Sequence, residues 1–228
     1  MLCDALPRLE AGEYPGGIWY YEPHTYQPYR YVLGRVGRRP LVCIGINPST
    51  AQPGALDPTL KSVERLAAAN GFDSWIMFNV YPQRATDPND MDKTLDRALC
   101  DENLRWLRAV LAQTEPTMWA AWGTLIEKRA YLPGLMREMV ALTRERDIPW
   151  VTFGPRSKKG HPHHPLLILG VLLSAAQRWV MTSSMRPYSL ASCAERKLSR
   201  SVSSSTFSSG WPVYSLSSRF ILARVRTR

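Results

Sequence analysis

Cysteine is scarce and scattered in this chain of 228 residues, and Cys3, Cys43, Cys100 and Cys193 form no Cys-x-x-Cys pair. That pattern argues against a disulfide scaffold and a cysteine-based zinc site, and it fits a reducing, cytoplasmic compartment. Long apolar runs are missing as well. The most apolar segment, Leu166 to Val180, is interrupted by Ser174, Gln177 and Arg178 and is too short to span a bilayer. It is expected to be a helix packed on the domain, with no membrane partner. Asp4, Arg8 and Glu10 break any secretory apolar segment near the N-terminus. Acids are nearly absent at the other end: Gly170 to Arg228 holds nine Arg or Lys against the single acid Glu195, so this stretch carries +8 of the formal +10. The preceding 169 residues keep only +2. Bulk charge therefore gives no basis for a nucleic-acid surface, and local clusters such as Arg156, Lys158 and Lys159 would have to supply one.

What is present is a chain with 45% hydrophobic residues, ample for one packed domain. Residues 1–28, rich in Pro, Gly and Tyr, read as an irregular arm, residues 29–180 as an α/β domain, and residues 181–228 as a Ser/Arg-rich tail. No helical or alternating period survives in that tail, so disorder is the expectation there. The domain is organised around Leu41 to Thr50, where an apolar, β-branched run stops at Gly45 and Asn47-Pro48. This reads as a buried strand delivering a polar loop at its C-terminal end, the place where open α/β sheets keep their sites. Pro48 pushes Asn47 towards extended geometry and so holds its amide in one direction.

Along the chain, Tyr29 to Val36 reads as a first strand turning at Gly37-Arg38-Arg39-Pro40 and pairing with the Leu41 strand at the sheet edge. Asp57 is a candidate N-cap for a helix carrying Leu60, Val63 and Leu66, with Asn70-Gly71 at its end. Ser74 to Tyr81 is a second buried strand. A long amphipathic helix is expected from about Met91 to Ala112. Thr117 to Trp122 is the third strand, residues 125–146 a helix kinked or split near Pro133-Gly134, and Trp150 to Phe153 the fourth strand. Strands alternating with helices imply parallel crossovers and a three-layer α/β/α sandwich around a mainly parallel four-stranded sheet, with all strand ends facing one cleft. The groups arriving there are Gly45, Asn47, Pro48, Ser49, Thr50, Asn79, Tyr81, Thr124 and the loop of His161, His163 and His164.

Gly45-Ile-Asn-Pro-Ser-Thr, Asp57-Pro-Thr, the Asn79 strand followed by Arg84-Ala-Thr, Ala121-Trp-Gly and His164-Pro-Leu together resemble the family called domain of unknown function 1643, over roughly Tyr29 to Leu167. More distantly, the same order resembles the uracil-DNA glycosylase superfamily. That resemblance implies a nucleobase-bearing ligand, with DNA among the candidates, and no cofactor. It would make Asn47 the group that positions a water and His164 the donor to the departing base. Asn79 would read the base edge and Tyr81 would stack on its face, while Gly45, Pro48, Ser49, Thr50 and Thr124 would complete the substrate site. Two alternatives stay open: a non-catalytic nucleotide or nucleic-acid sensor, and a metal site on His161, His163 and His164, for which no further ligand can be placed. As a test of the domain limits, a chain ended after Met185 is expected to express in soluble form and to melt at the temperature of the full chain; insoluble expression would show that the tail belongs to the fold.

Overall fold

The computed structural model describes residues 5–168 and the backbone of 177–179. The chain divides into units Met1–Thr182 and Ser183–Arg228, and the second, which includes nearly all of the Ser/Arg-rich tail, lies outside the described residues.

Among the described residues eight strands form one mixed sheet: β1 (Ala11–Tyr14), β2 (Gly17–Glu22), β3 (Val32–Arg35), β4 (Pro40–Gly45), β5 (Ser74–Asn79), β6 (Thr117–Ala120), β7 (Trp150–Thr152) and β8 (Gln177–Trp179). Their order across the sheet is β1-β2-β3-β5-β4-β6-β7-β8. Strands β5, β4, β6 and β7 are mutually parallel, while β1, β2 and β3 on one side and β8 on the other run antiparallel to their neighbours. Every residue of β4 and β5 is buried, which is why these strands read as continuous apolar runs and not as alternating ones.

The alternation is still there, split between two cores. Val42, Ile44, Ile76, Phe78, Met118 and Trp150 pack with residues of α2 (Arg97–Gln113) and α3 (Leu132–Arg144). Leu41, Cys43, Trp75, Met77, Trp119 and Val151 pack with Leu60, Val63 and Leu66 of α1 (Pro58–Ala69). Helices therefore cover both faces of the sheet, as the crossovers require. Asp57 caps α1, accepting from the Leu60 amide at 2.8 Å, and Asp96 caps α2 through the Leu99 amide at 3.0 Å. The buried Asn103 of α2 donates to the Asn79 carbonyl at 2.9 Å, just where β5 ends.

The structure corrects the sequence reading in several places. The supposed irregular arm holds the β1–β2 hairpin, which turns through Pro15-Gly16 between paired Tyr14 and Gly17. Gly16 and Gly17 sit at φ 82° and 116°, in the region that side chains disfavour. The alternation that announces β2 is Ile18 exposed, Trp19 buried, Tyr20 partly exposed and Tyr21 buried. Strand β3 lies inside the sheet, paired with β2 and β5, and not at the edge beside β4. The second helix starts at Arg97, because Pro88–Asp90 forms a separate 3-10 turn and Asp96 supplies the cap. Residues 125–146 are split and not kinked: Gly123–Glu127 is a 3-10 turn of its own, and Pro133 sits in the first turn of α3. Within Leu166–Val180, residues 165–168 form a 3-10 turn and 177–179 a strand in place of the expected helix. The remainder of that segment lies outside the described residues. Among the described residues no helix is long and apolar enough to cross a membrane.

Gly34 makes the β3–β5 approach possible, since a Cβ there would lie 2.3 Å from the Trp75 carbonyl oxygen and 2.7 Å from Ile76 Cα. Both neighbours are backbone and cannot step aside. Gly34→Ala is expected to cost about 3 kcal/mol, at the upper end of overpacking penalties. Chemical denaturation would measure it, and a loss below about 1 kcal/mol would mean that β3 can slide on β5.

Candidate functional site

Strand β4 hands the chain to a loop that is held by the segment following β5. The Val80 amide donates to the Gly45 carbonyl at 3.0 Å, Tyr81 to Ile46 at 2.9 Å, and Ala85 to Pro48 at 2.9 Å. The Asn47 side chain joins this ladder, its Nδ2 donating to the Ala85 carbonyl at 2.7 Å and to the Pro48 carbonyl at 3.1 Å. Two carbonyl acceptors define which end of the amide is nitrogen, so Oδ1 is the end left to accept.

A cavity of about 240 Å³ opens beside this loop. Gly45, Asn47, Pro48 and Ser49 form one wall, and Asp57, Thr59 and Leu60 at the start of α1 another. Met77, Leu125 and His164 also line it. Asp57 ties two walls together: besides capping α1 it accepts from the Ser49 hydroxyl at 2.5 Å. The Asp57-Pro-Thr motif is thus the helix cap expected from sequence and a pocket wall as well.

His164 is seated against Gly123, which at φ 60° places no side chain there; a Cβ would come 3.6 Å from that of His164. The Leu166 amide approaches His164 Nδ1 at 3.4 Å, which assigns Nδ1 as acceptor and the proton to Nε2. Burial lowers the His164 pKa below its ordinary 6.5, with the Asp57 charge opposing. The imidazole is therefore neutral at pH 7 and carries one N–H.

Asn79 is paired with Gly45 across β4 and β5, and it is fully buried. Among the described residues neither its Oδ1 nor its Nδ2 has a hydrogen-bond partner. A Cβ on Gly45 would lie 3.0 Å from this Oδ1 and 2.5 Å from the Met77 methyl, so the glycine keeps the space between the pocket wall and the amide open.

The structure therefore brings Gly45, Asn47, Pro48, Ser49 and His164 together around one cavity and sets Asn79 directly behind Gly45. Asn79 stands behind that wall and does not itself line the cavity, and three further expected site residues are elsewhere. Thr50 and Thr124 are exposed and do not line the cavity. Tyr81 points into the other core: it is buried, donates to Asp92 Oδ2 at 2.6 Å and packs on Tyr131 with ring centroids 5.2 Å apart. The two-residue alternation ends with β5 at Asn79, so Tyr81 does not share its face. Sequence reading did not place Arg30, Met77, Thr86 or Leu125 at the site; all four line it, and each comes from a different part of the chain. Of the histidine loop, buried His161 is hydrogen-bonded to Glu127 at 2.8 Å, and Lys159 reaches the same carboxylate at 2.5 Å. Among the described residues no group of three or more His, Cys, Asp or Glu is placed to hold a metal ion.

These features define a mixed α/β protein with a strand-end cleft whose polar walls carry the Asn47 amide, the Asp57 carboxylate, the Arg30 guanidinium and the neutral His164 imidazole. Within that class, the chain belongs to the family described as Protein of unknown function (DUF1643), which matches residues 30–166, from the pocket arginine to the turn after His164. Neither curated proteins nor solved structures give a match.

Because the native pKa of His164 is depressed, the unfolded chain binds the proton first, and stability must fall as pH drops below 6.5 towards the native value. Thermal melts at pH 7.5 and pH 5 should show this loss in the wild type and less of it in His164→Gln. Equal acid sensitivity in both would place the titration on other groups.

Proposed function

We propose that the cleft between the Asn47 and His164 loops binds a nucleobase-bearing ligand, and that hydrolysis of an N-glycosidic bond, in the manner of the uracil-DNA glycosylase superfamily, is its leading reaction. The observation that carries this reading is the Asn79 carboxamide, buried with both ends unpartnered beside a glycine wall. Leaving a buried polar group unsatisfied costs about 1–3 kcal/mol, and such a group calls for a partner. A carboxamide offers one donor and one acceptor side by side, the complement of the donor–acceptor edge of a base.

The remaining groups meet the needs of glycosidic hydrolysis. The C1′–N bond breaks, the electron pair leaves with the base, and a water oxygen bonds to C1′. Asn47 Oδ1, with its Nδ2 held by two carbonyls, can accept from that water and fix its position. An amide cannot take the proton, which leaves to solvent. His164 Nε2–H can donate to the oxygen of the departing base, and a neutral donor suits a base that leaves as an anion. For a target in a duplex, the nucleotide would first have to flip out of the stack.

One observation favours the second reading, a non-catalytic nucleotide or nucleic-acid sensor. The pocket carboxylate, Asp57, has both oxygens engaged, by the Ser49 hydroxyl and the Leu60 amide, and is not free to act as a base.

Single- and double-stranded oligonucleotides carrying uracil, hypoxanthine, xanthine and modified thymines separate the readings when both binding and abasic product are scored. Abasic product lost in Asn47→Ala and His164→Ala is the outcome expected for a hydrolase, and binding without product is that of a sensor. Asn79→Leu is expected to weaken binding at least about tenfold, equivalent to 1.4 kcal/mol, while the free protein melts no lower, because the unpartnered amide contributes no stability. Unchanged binding in Asn79→Leu would remove the basis of the reading.

A further inference from the structure

The cavity has a cationic end that base recognition does not use. Arg30 lies just before β3, its amide held by the Pro82 carbonyl at 2.9 Å, and its side chain runs beneath the loop after β4 with only 2% of its surface exposed. There Nη1 donates to the Ala51 carbonyl at 3.1 Å, and Nε has no partner among the described residues. Arg84 comes to the same carbonyl from the other side, its Nη1 also 3.1 Å from Ala51 O. It donates further to the Ser49 carbonyl and, at 3.1 Å, to the Tyr21 hydroxyl, and its guanidinium lies 4.3 Å from the centre of the Tyr26 ring. Its Nε, too, is buried and unpartnered.

Two guanidinium groups therefore converge on one carbonyl oxygen, and neither has a hydrogen bond to a carboxylate among the described residues. Burying a cation without an ionic partner is costly, and a single neutral carbonyl does little for a group with five donors. Arg84 makes sense as a staple for the loop, since it bonds two of its carbonyls. Arg30 differs: it makes one such bond and lines the cavity. Burial and the neighbouring Arg84 pull its pKa down to about 9, with Asp57 opposing. Asp57 is the nearest compensation in the cavity wall, but its oxygens are taken by Ser49 and Leu60, and one carboxylate leaves one of the two positive charges unmatched.

We propose that the Arg30 end of the cavity is an anion subsite for the phosphoryl group of a nucleotide, the base of which is read at the Asn79–His164 end. The nucleobase part rests on the function proposed above; the anion subsite does not. A phosphoryl group presents several acceptor oxygens to the Arg30 fork and brings the charge that the paired guanidiniums lack. Thr59, which lines the same wall, adds a hydroxyl donor. The phosphoryl group is that of a free nucleoside monophosphate or of a phosphodiester in a single strand, since the chemistry recognised is shared.

Differential scanning fluorimetry and calorimetry with inorganic phosphate, deoxyuridine, its 5′-monophosphate and a uracil-containing single-stranded trinucleotide test this on the full chain. Inorganic phosphate is expected to raise the melting temperature beyond chloride at equal ionic strength. That rise should vanish in Arg30→Met, whose free form should melt no lower than the wild type because a buried unpaired charge has gone. Asp57→Asn keeps an equally good helix cap while removing the competing charge, so it should bind phosphate several-fold tighter and serves as the test should Arg30→Met not fold. A monophosphate that outbinds the nucleoside at least tenfold points to a free nucleotide, and a gain confined to the trinucleotide points to a phosphodiester; either supports the subsite. No phosphate effect, or the same effect in Arg30→Met, overturns it. Nucleoside binding without any phosphate effect would overturn the subsite alone, whereas an Arg30-dependent phosphate effect with no nucleoside preference would leave the subsite and remove the base reading.

Discussion

The parallel pairing of β4 with β5 is the constraint on which the site depends. Its register, from Pro40 opposite Ser74 to Gly45 opposite Asn79, brings both strands to an end at the same level. Everything beyond that level is loop, and the loops continue to bond each other through Gly45, Ile46 and Pro48. A shift of one residue would move Asn79 away from Gly45 and send Met77 to the opposite core. The two cores forbid such a shift, because each strand presents a different side-chain set to α1 and to the α2–α3 layer.

On this rigid base the chain keeps several buried polar groups without partners. Among the described residues the Asn79 amide and the Nε atoms of Arg30 and Arg84 are unsatisfied, and all lie within or around the loop after β4. A protein selected for stability alone would replace such groups by apolar ones of similar shape, as buried charges and amides are often replaceable without loss. Arg30 lines the cavity and Asn79 stands behind its Gly45 wall, and this separates the cleft from a turn that merely ends a strand. The same logic makes Gly45 more than a punctuation residue: a Cβ there would require the end of the Met77 side chain to shift and would crowd the Asn79 oxygen at 3.0 Å.

Much of the layout was legible in the chain. Apolar runs marked the four parallel strands, Asp57-Pro58 marked the start of α1, and Gly45, Asn47, Pro48, Ser49 and His164 were placed at one cleft because strand ends in such sheets share an edge. The hairpin of β1 and β2 was missed although its Pro-Gly-Gly turn and the alternation of Ile18 to Tyr21 were visible, since a stretch dense in Pro, Gly and Tyr resembles a coil in composition. Tyr81 is misplaced for a different reason: the apolar run continues to Tyr81, but β5 ends as a strand at Asn79 and the chain beyond turns Tyr81 into the other core.

The sequence by itself determined which segments would be buried on both sides, where they would break, and which polar residues would stand at the breaks, because these follow from local hydrophobicity and from the backbone limits of Gly and Pro. Only the tertiary structure decided that Arg30, Met77, Thr86 and Leu125 would share a cavity with Asn47 and His164. It also decided that β3 would cross to β5 and that two arginines 54 positions apart in the chain would meet at Ala51. Those outcomes depend on strand order and on which side of a twisted sheet each loop returns to, and neither is written in any local run of residues.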